Sequence, residues 1–165
     1  MANLYRFPDQ HDLFRDEVDS GVAADDEAAG RRRLGRYAEF MVCAELTKLG
    51  YDVWHCDAPG FDVVLVEGDR SLRIQVRSTG NIDKGYCSWM CRKGYGSRDS
   101  NNFLKSRILD RRDADLIALY HLVFGSLIFA TVDELPGGGT FKFPVGQVRE
   151  HDCSGSLLRA LARLE

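Results

Sequence analysis

The sequence has no run of apolar residues long enough to form a membrane-spanning helix. Its N-terminus also lacks the basic segment and following apolar segment of a secretory signal. Neither internal repeats nor low-complexity tracts are present. These absences argue against a membrane partner and against a repeat architecture, and we expect a cytoplasmic protein.

A disulfide framework is missing as well. The five cysteines are an odd number, and their spacings match no common pattern of bridges, so we expect reduced thiols. Cys87 and Cys91 could be read as a pair of metal ligands, but zinc sites usually have a tighter pair and a second pair. We interpret both as small core residues on one face of a strand. His55, His121 and His151 show no spacing that argues for zinc.

The composition is that of one soluble globular domain, with 165 residues, 44% hydrophobic and 28% charged. Charge is unevenly distributed, because residues 1–29 have a formal charge of −6 whereas the whole chain has −3. We therefore predict an acidic N-terminal arm at 1–29 and one mildly basic domain at 30–165. The arm is either solvated, packed on the domain or on a second subunit, or held against the basic surface as a brake on nucleic-acid binding.

Two β-strands joined as a hairpin are predicted at 60–66 and 71–78, because both runs are rich in Val, Ile and Leu and are bounded by glycine and charged turn residues. Side chains alternate along a strand, so Gln75 and Arg77 share the polar face of the second strand. Asp62 stands at the start of the first strand, in an otherwise apolar run. A carboxylate there is costly unless a cation meets it, so we expect either Arg77 or a metal ion beside Asp62.

A helix is predicted at 34–50, where apolar residues recur at spacings of three and four and Gly50 provides a stop. Glu39 lies on this helix, near its apolar face, whereas Glu45 is expected at the surface. Further strands are predicted at 51–56, 86–91, 115–122 and 126–132, with an edge segment at 141–145 and an amphipathic helix at 154–164. The sequence therefore indicates an α/β domain in which a mixed central β-sheet is flanked by helices.

Basic residues cluster in two places. Arg31, Arg32, Arg33 and Arg36 lie at the predicted start of the first helix, where positive charge opposes the helix dipole, so an anionic partner is expected to meet them. We predict that this partner is DNA, with a salt bridge to the acidic arm as the alternative. The second cluster lies in a loop rich in glycine and hydroxyl residues and continues into a short predicted helix around 105–112. Its members are predicted to contact DNA phosphates: Arg92, Lys93, Arg98, Lys105 and Arg107.

The order of these motifs resembles that of the PD-(D/E)XK nuclease superfamily: Gly35-x-x-Ala38-Glu39 on a helix, Gly60-Phe61-Asp62 on a strand and Gln75-Val76-Arg77-Ser78 on the next strand. The branches that look nearest are the Holliday-junction resolvases and the homing endonucleases of group I introns. The resemblance covers residues 34–135. It implies a restriction-endonuclease-like core and Mg²⁺ or Mn²⁺ as cofactor. It also implies catalytic roles for Glu39, Asp62, Gln75 and Arg77, with Asp62, Gln75, Glu39 and the Val76 carbonyl as metal ligands.

Two positions depart from the superfamily pattern. Gln75 stands where Glu is common, which removes one negative charge from the expected metal site. Arg77 stands where Lys is usual, and because arginine stays protonated it can stabilise negative charge but cannot act as a general base. Lys84 or Lys93 could substitute for the missing lysine.

The function that we expect is that of a metal-dependent endonuclease which hydrolyses DNA phosphodiester bonds as a homodimer, because symmetric cleavage of two strands needs two sites. The alternative is a catalytically inactive nuclease-like module that binds DNA or a protein partner through the same surface.

Overall fold

The computed structural model describes residues 24–58, 60–93 and 106–165. Its first elements are helix α1 (Ala24–Lys48) and strands β1 (Asp52–Ala58), β2 (Phe61–Glu67) and β3 (Arg70–Thr79). The short strands β4 (Ile82–Asp83), β5 (Tyr86–Met90), β6 (Arg92–Lys93) and β7 (Arg107–Ile108) come next, followed by β8 (Leu116–His121) and β9 (Ser126–Thr131). The chain ends with a 3₁₀ turn (Val132–Glu134), β10 (Thr140–Pro144) and helices α2 (Val145–Arg149) and α3 (Cys153–Ala162).

Five strands form the central sheet, in the order β1-β2-β3-β8-β9. The central pair, β3 and β8, runs parallel, and the other neighbours run antiparallel. The sheet is therefore mixed, and with its flanking helices it confirms the predicted α/β class. Both hairpins that the sequence indicates, β2–β3 and β8–β9, are present. The apolar residues of β3 are buried largely on one face of the strand, and those of β8 are buried on both faces.

The two faces of the sheet carry separate cores. On one face, α1 buries Ala38, Val42 and Leu46 against β2 and β3, and α3 buries Leu157 and Leu161 near β9. On the other face, β5, β10 and α2 cover β8 and β9 with buried side chains that include Trp89, Phe141 and Val148. Cys87 and Cys91 are fully buried in this second core, which confirms their interpretation as core residues.

Strand β5 belongs to a small sheet of its own. It pairs with β4 and β10, in the order β10-β5-β4, and lies outside the central sheet. Residues 86–90 do form a strand, as predicted, but the expectation that this strand belongs to the central mixed sheet was wrong. The mixed character comes from the parallel alignment of β3 with β8, in which Gln75 lies beside Ile117.

Helix α1 begins at Ala24, ten residues before the predicted start, so the predicted boundary between arm and domain falls inside the helix. Arg31, Arg32 and Arg33 consequently lie in the second and third turns, and the idea that they oppose the dipole at the helix N-terminus was wrong. Residues 1–23 of the predicted acidic arm lie outside the described residues.

The helix predicted around 105–112 is not formed by the residues described there, which make β7 and then a turn at 111–113. Asp110 and Asp113 explain the turn, because the Asp113 carboxylate accepts the backbone N–H of Asp110 at 3.2 Å and Asp110 accepts that of Arg112 at 2.9 Å. None of the helices in the described ranges combines the length and apolarity needed to cross a membrane.

Candidate active site

The site lies where β2 and β3 part. Their last registered pair is Val63 with Ile74, and beyond it the Asp62 side chain replaces a strand carbonyl. Asp62 Oδ2 accepts the Val76 N–H at 2.7 Å and also accepts a hydrogen bond from Gln75 Nε2. Gly60 precedes Asp62 with a φ of +116°, a conformation that side chains rarely adopt. The two hydrogen bonds to Oδ2 therefore hold the carboxylate inward, between the two strands.

Glu39 reaches the same place from α1. A cleft with a volume of ≈ 250 Å³ opens between the helix and the parting strands. An added Cβ on Gly35 would meet nothing within 4 Å, so glycine at that position leaves one side of the cleft open. The lining residues are Gly35, Glu39, Asp62, Gln75, Val76, Arg77 and Ser78. The structure thus brings together the four side chains that the sequence singled out on three different elements.

The two carboxylates of the cleft are held differently. Burial raises the pKa of Asp62, and neighbouring Glu39 raises it further, against the opposing effects of the Val76 N–H, Arg77 and Gln75. Glu39 has its own partners, because its Oε2 atom lies 2.7 Å from His55 Nε2 and 3.3 Å from Arg36 Nη1. Both carboxylates therefore face a shared cleft in which a cation would relieve their repulsion.

His55 is the residue at this site that sequence reasoning missed. It lies on β1, on the face that also directs Val53 towards α1, and its ring packs on Phe40 with centroids 4.8 Å apart. The alternation of β1 could have assigned His55 to the helix-facing side, but its contact with Glu39 depends on how α1 crosses the strand.

Arg77 lines the cleft without pairing with Asp62. No ion pair joins the two side chains, both of which are described, so the plain Asp62–Arg77 bridge that the sequence left open is not what the structure contains. Arg77 Nη2 instead donates to the Arg92 carbonyl at 3.2 Å, and Nη1 lies 3.4 Å from the Val76 carbonyl. Within the described ranges the buried Nε of Arg77 has no hydrogen-bond partner. The guanidinium is thus anchored by carbonyls and retains an unused donor.

The donor set suits a hard divalent cation. Asp62 and Glu39 offer carboxylate oxygens, and rotation of the Gln75 amide would present its oxygen where Nε2 now meets Asp62. The Val76 carbonyl lies on the same side of β3 as its N–H, towards Asp62, since both groups of a strand residue point the same way. Among the described residues no group of three or more His, Cys, Asp or Glu side chains could hold a metal, so a cation in this cleft would have only two carboxylates and neutral oxygens as protein ligands.

A basic groove adjoins the cleft along α1 and has a volume of ≈ 780 Å³. It shares Gly35 and Glu39 with the cleft, and its basic members are Arg32, Arg33 and Arg36. Arg31 is exposed on the same helix. The groove therefore extends the cleft along α1 and places positively charged side chains beside it.

Three of the other predicted phosphate contacts, Arg92, Lys93 and Arg107, are engaged within the protein. Arg92 donates to Ser106, and Arg107 forms a bidentate pair with the buried Asp113 at 2.5 and 2.6 Å. Lys93 Nζ lies 3.3 Å from the same Asp113 carboxylate, so it balances that charge instead of replacing the missing lysine at Asp62. Arg98 and Lys105 lie outside the described residues.

Lys84, the other candidate for the missing lysine, occupies the turn between β4 and β5 with a φ of +49°. It does not line the cleft that contains Asp62. The structure therefore brings neither Lys84 nor Lys93 to the position of Arg77.

Comparison with known proteins rests on structure alone, because no protein-family model and no curated protein matches the sequence. The chain has a nuclease-like α/β fold, as its similarity to a solved endonuclease shows. That structure is of a bacterial homing endonuclease, I-Ssp6803I, with a TM-score of 0.60 and 18% sequence identity. The alignment covers 81% of this chain and 97% of the endonuclease.

Proposed function

We propose that the protein is a metal-dependent endonuclease of the PD-(D/E)XK type that hydrolyses phosphodiester bonds in DNA. The observation that carries the proposal is the convergence of Glu39, Asp62, Gln75 and Arg77 on one open cleft that continues into a basic groove. The nuclease-like fold supports the same function. A basic surface or a nuclease-like fold without these converging side chains would support DNA binding but not cleavage.

Asp62 and Glu39 would hold the cation, with the Gln75 amide oxygen and the Val76 carbonyl completing the protein ligands. Mg²⁺ or Mn²⁺, when bound, supplies a nucleophilic water and positive charge beside the phosphoryl oxygens. Gly35 leaves room for the phosphate next to the helix, because a side chain at that position would project into the cleft. Arg32, Arg33 and Arg36 would position the neighbouring phosphates along α1.

Arg77 would act on the phosphate rather than on the water. A guanidinium stays protonated, so Arg77 cannot remove a proton, whereas its positive charge at the wall of the cleft can stabilise an oxygen on which negative charge develops. The carbonyl anchors of Nη1 and Nη2 keep the group in place before substrate arrives. Arginine in place of lysine thus favours charge stabilisation as the role of this position.

The test is cleavage of supercoiled plasmid and branched DNA in Mg²⁺ or Mn²⁺, with Asp62→Ala and Arg77→Lys as variants. Cleavage that requires the cation and is abolished by Asp62→Ala supports the proposal. We expect Arg77→Lys to retain cleavage, because lysine still places a positive charge near the phosphate. Cation-dependent cleavage that survives Asp62→Ala would overturn the assignment of the site.

A second function is favoured by the two departures in the site. Gln75 lowers the negative charge available for a cation, and Arg77 removes a possible base, so a nuclease-like module that binds DNA or a protein partner without cleaving it is the alternative. Salt-sensitive DNA binding with no cleavage under any cation would favour it over the enzyme. For the enzyme we further propose a homodimer, which light scattering coupled to size-exclusion chromatography would detect as twice the chain mass.

A further inference from the structure

Arg36 is positioned between the carboxylate Glu39 and the basic groove. Its Nη1 atom lies 3.3 Å from Glu39 Oε2 and 3.0 Å from His55 Nε2, while the same side chain lines the groove with Arg32 and Arg33. The Arg36 side chain is 40% exposed, whereas that of Glu39 is 19% exposed. Arg36 is thus the more accessible member of the pair and the one that an incoming polyanion meets first.

The two contacts of His55 Nε2 cannot both be hydrogen bonds at the same time. His55 Nε2 carries either a proton or a lone pair, so it can donate to Glu39 Oε2 at 2.7 Å or accept from Arg36 at 3.0 Å, but not both. If Arg36 moved away, Nε2–H could donate to Glu39 without competition, and stacking on Phe40 would keep the ring in place. Departure of Arg36 would therefore leave His55 holding Glu39.

We propose that Arg36 exchanges partners: it pairs with Glu39 before DNA binds and moves to a backbone phosphate when DNA enters the groove, leaving Glu39, held by His55, for the divalent cation. This inference rests on the proposed function. The exchange removes a positive charge from the cation site and satisfies Arg36 with a phosphate, whose oxygens a planar guanidinium can bind in a bidentate manner. DNA and the cation would then bind cooperatively, and by linkage each would tighten the other equally.

The experiment measures the affinity of the full chain for Ca²⁺, a cation that takes the same hard oxygen ligands, with and without a short DNA duplex. Isothermal titration calorimetry at constant ionic strength gives both values, with heats from DNA alone subtracted. The readout is the coupling factor, the ratio of the two dissociation constants. The variant is Arg36→Gln, which removes the charge and keeps a polar chain of similar reach.

For Arg36→Gln we expect Ca²⁺ to bind about two- to fivefold more tightly than in the native protein when DNA is absent, because a partly exposed ion pair no longer competes for Glu39. The coupling factor should fall by the same amount. The matched control is Arg32→Gln, which lies one turn away in the same groove and about 10 Å of helix rise from Glu39. It should weaken DNA binding but leave Ca²⁺ affinity without DNA, and the coupling factor, at native values.

An unchanged coupling factor in Arg36→Gln, with Ca²⁺ bound in all proteins, would overturn the exchange and leave the proposed function standing. Ca²⁺ binding that is absent from the native protein even with DNA would overturn both. Circular dichroism checks that each variant is folded. Arg36→Lys keeps the positive charge, so we expect its coupling factor to be close to the native value.

Discussion

The Asp62 carboxylate accepts the backbone N–H of Val76 at 2.7 Å, so a side chain takes the place of a strand carbonyl at the point where β2 leaves β3. This single contact gives Asp62 two roles. It closes the sheet locally, and it directs a negative charge into the cleft. The two roles can be separated by substitution.

Asp62→Asn keeps an acceptor for the Val76 N–H and removes the charge, whereas Asp62→Ala removes both. We expect Asp62→Asn to unfold in urea close to the native midpoint and Asp62→Ala to lose about 1–2 kcal/mol, because a buried N–H is left unpaired. Both variants should lose cation binding by calorimetry. A retained cation affinity in Asp62→Asn would show that the charge of Asp62 is not needed.

Gln75→Glu introduces the acid that is common at the corresponding position of the PD-(D/E)XK nucleases, which the sequence motifs resemble. Without a cation it places a carboxylate against Asp62, where burial already raises the pKa of that group, so we expect a loss of about 1–2 kcal/mol in EDTA. Mg²⁺ should restore stability and bind more tightly than in the native protein. Thermal unfolding in EDTA and in Mg²⁺ measures both effects. Equal stability of variant and native protein in EDTA would contradict the close contact between the two side chains.

His55→Ala is expected to weaken cation binding several-fold, because Glu39 loses the donor that holds it in the cleft. His55→Gln should retain most of the affinity, since its amide N–H₂ can donate to Glu39. Trp54→Ala is the control, because the neighbouring side chain points to the opposite face and is 67% exposed. Calorimetric titration of the three variants makes the comparison, and a loss in Trp54→Ala equal to that in His55→Ala would argue against a specific role.

Asp113→Ala should destabilise the protein by about 3 kcal/mol. The carboxylate is buried and accepts a bidentate pair of hydrogen bonds from Arg107 as well as one from Lys93, so its removal takes away the negative charge that these two cations share. Asp133→Ala breaks the ion pair with Arg111, in which both side chains are exposed, and should have no measurable effect on stability. Urea unfolding of both variants tests the contrast.

Acid should destabilise the fold through His121. Its ring is fully buried, its Nδ1 atom accepts the Phe124 N–H at 3.3 Å, and burial lowers its pKa. The unfolded chain therefore binds a proton below its ordinary pKa of about 6.5 while the folded chain does not, so stability is full above that pH and is lost as the pH falls below it. The slope is at most about 1.4 kcal/mol per pH unit for one histidine.

His121→Phe should flatten this loss between pH 7.5 and pH 5.5. Burial also lowers the pKa of His151, so the double variant with His151→Gln should be flatter still. Urea midpoints at both pH values provide the measurement, and an unchanged slope in the double variant would show that other groups govern the acid response.

Much of the fold could be predicted because its strands repeat a simple pattern. The runs at 60–66, 71–78, 115–122 and 126–132 are apolar on one or both faces and became β2, β3, β8 and β9. The order of the motifs also located Glu39, Asp62, Gln75 and Arg77 on the elements that now surround one cleft. Local periodicity sufficed for these elements.

The remaining features depend on contacts between distant residues. The first ten residues of α1 have no apolar periodicity, so a prediction based on buried residues began the helix too late. Asp110 and Asp113 fold a turn where basic residues suggested a helix. His55 meets Glu39 only through the packing of α1 on β1, which no pattern within either segment reveals.

The parallel pairing of β3 with β8 divides the central sheet into two stretches that are each continuous in sequence. Helix α1 with β1, β2 and β3 forms one stretch, and β8 with β9 forms the other. Because loop closure makes distant strand pairing slow, each stretch is expected to assemble early during folding and the β3–β8 junction last. Every residue that lines the cleft belongs to the first stretch, which leaves the ribosome before the second.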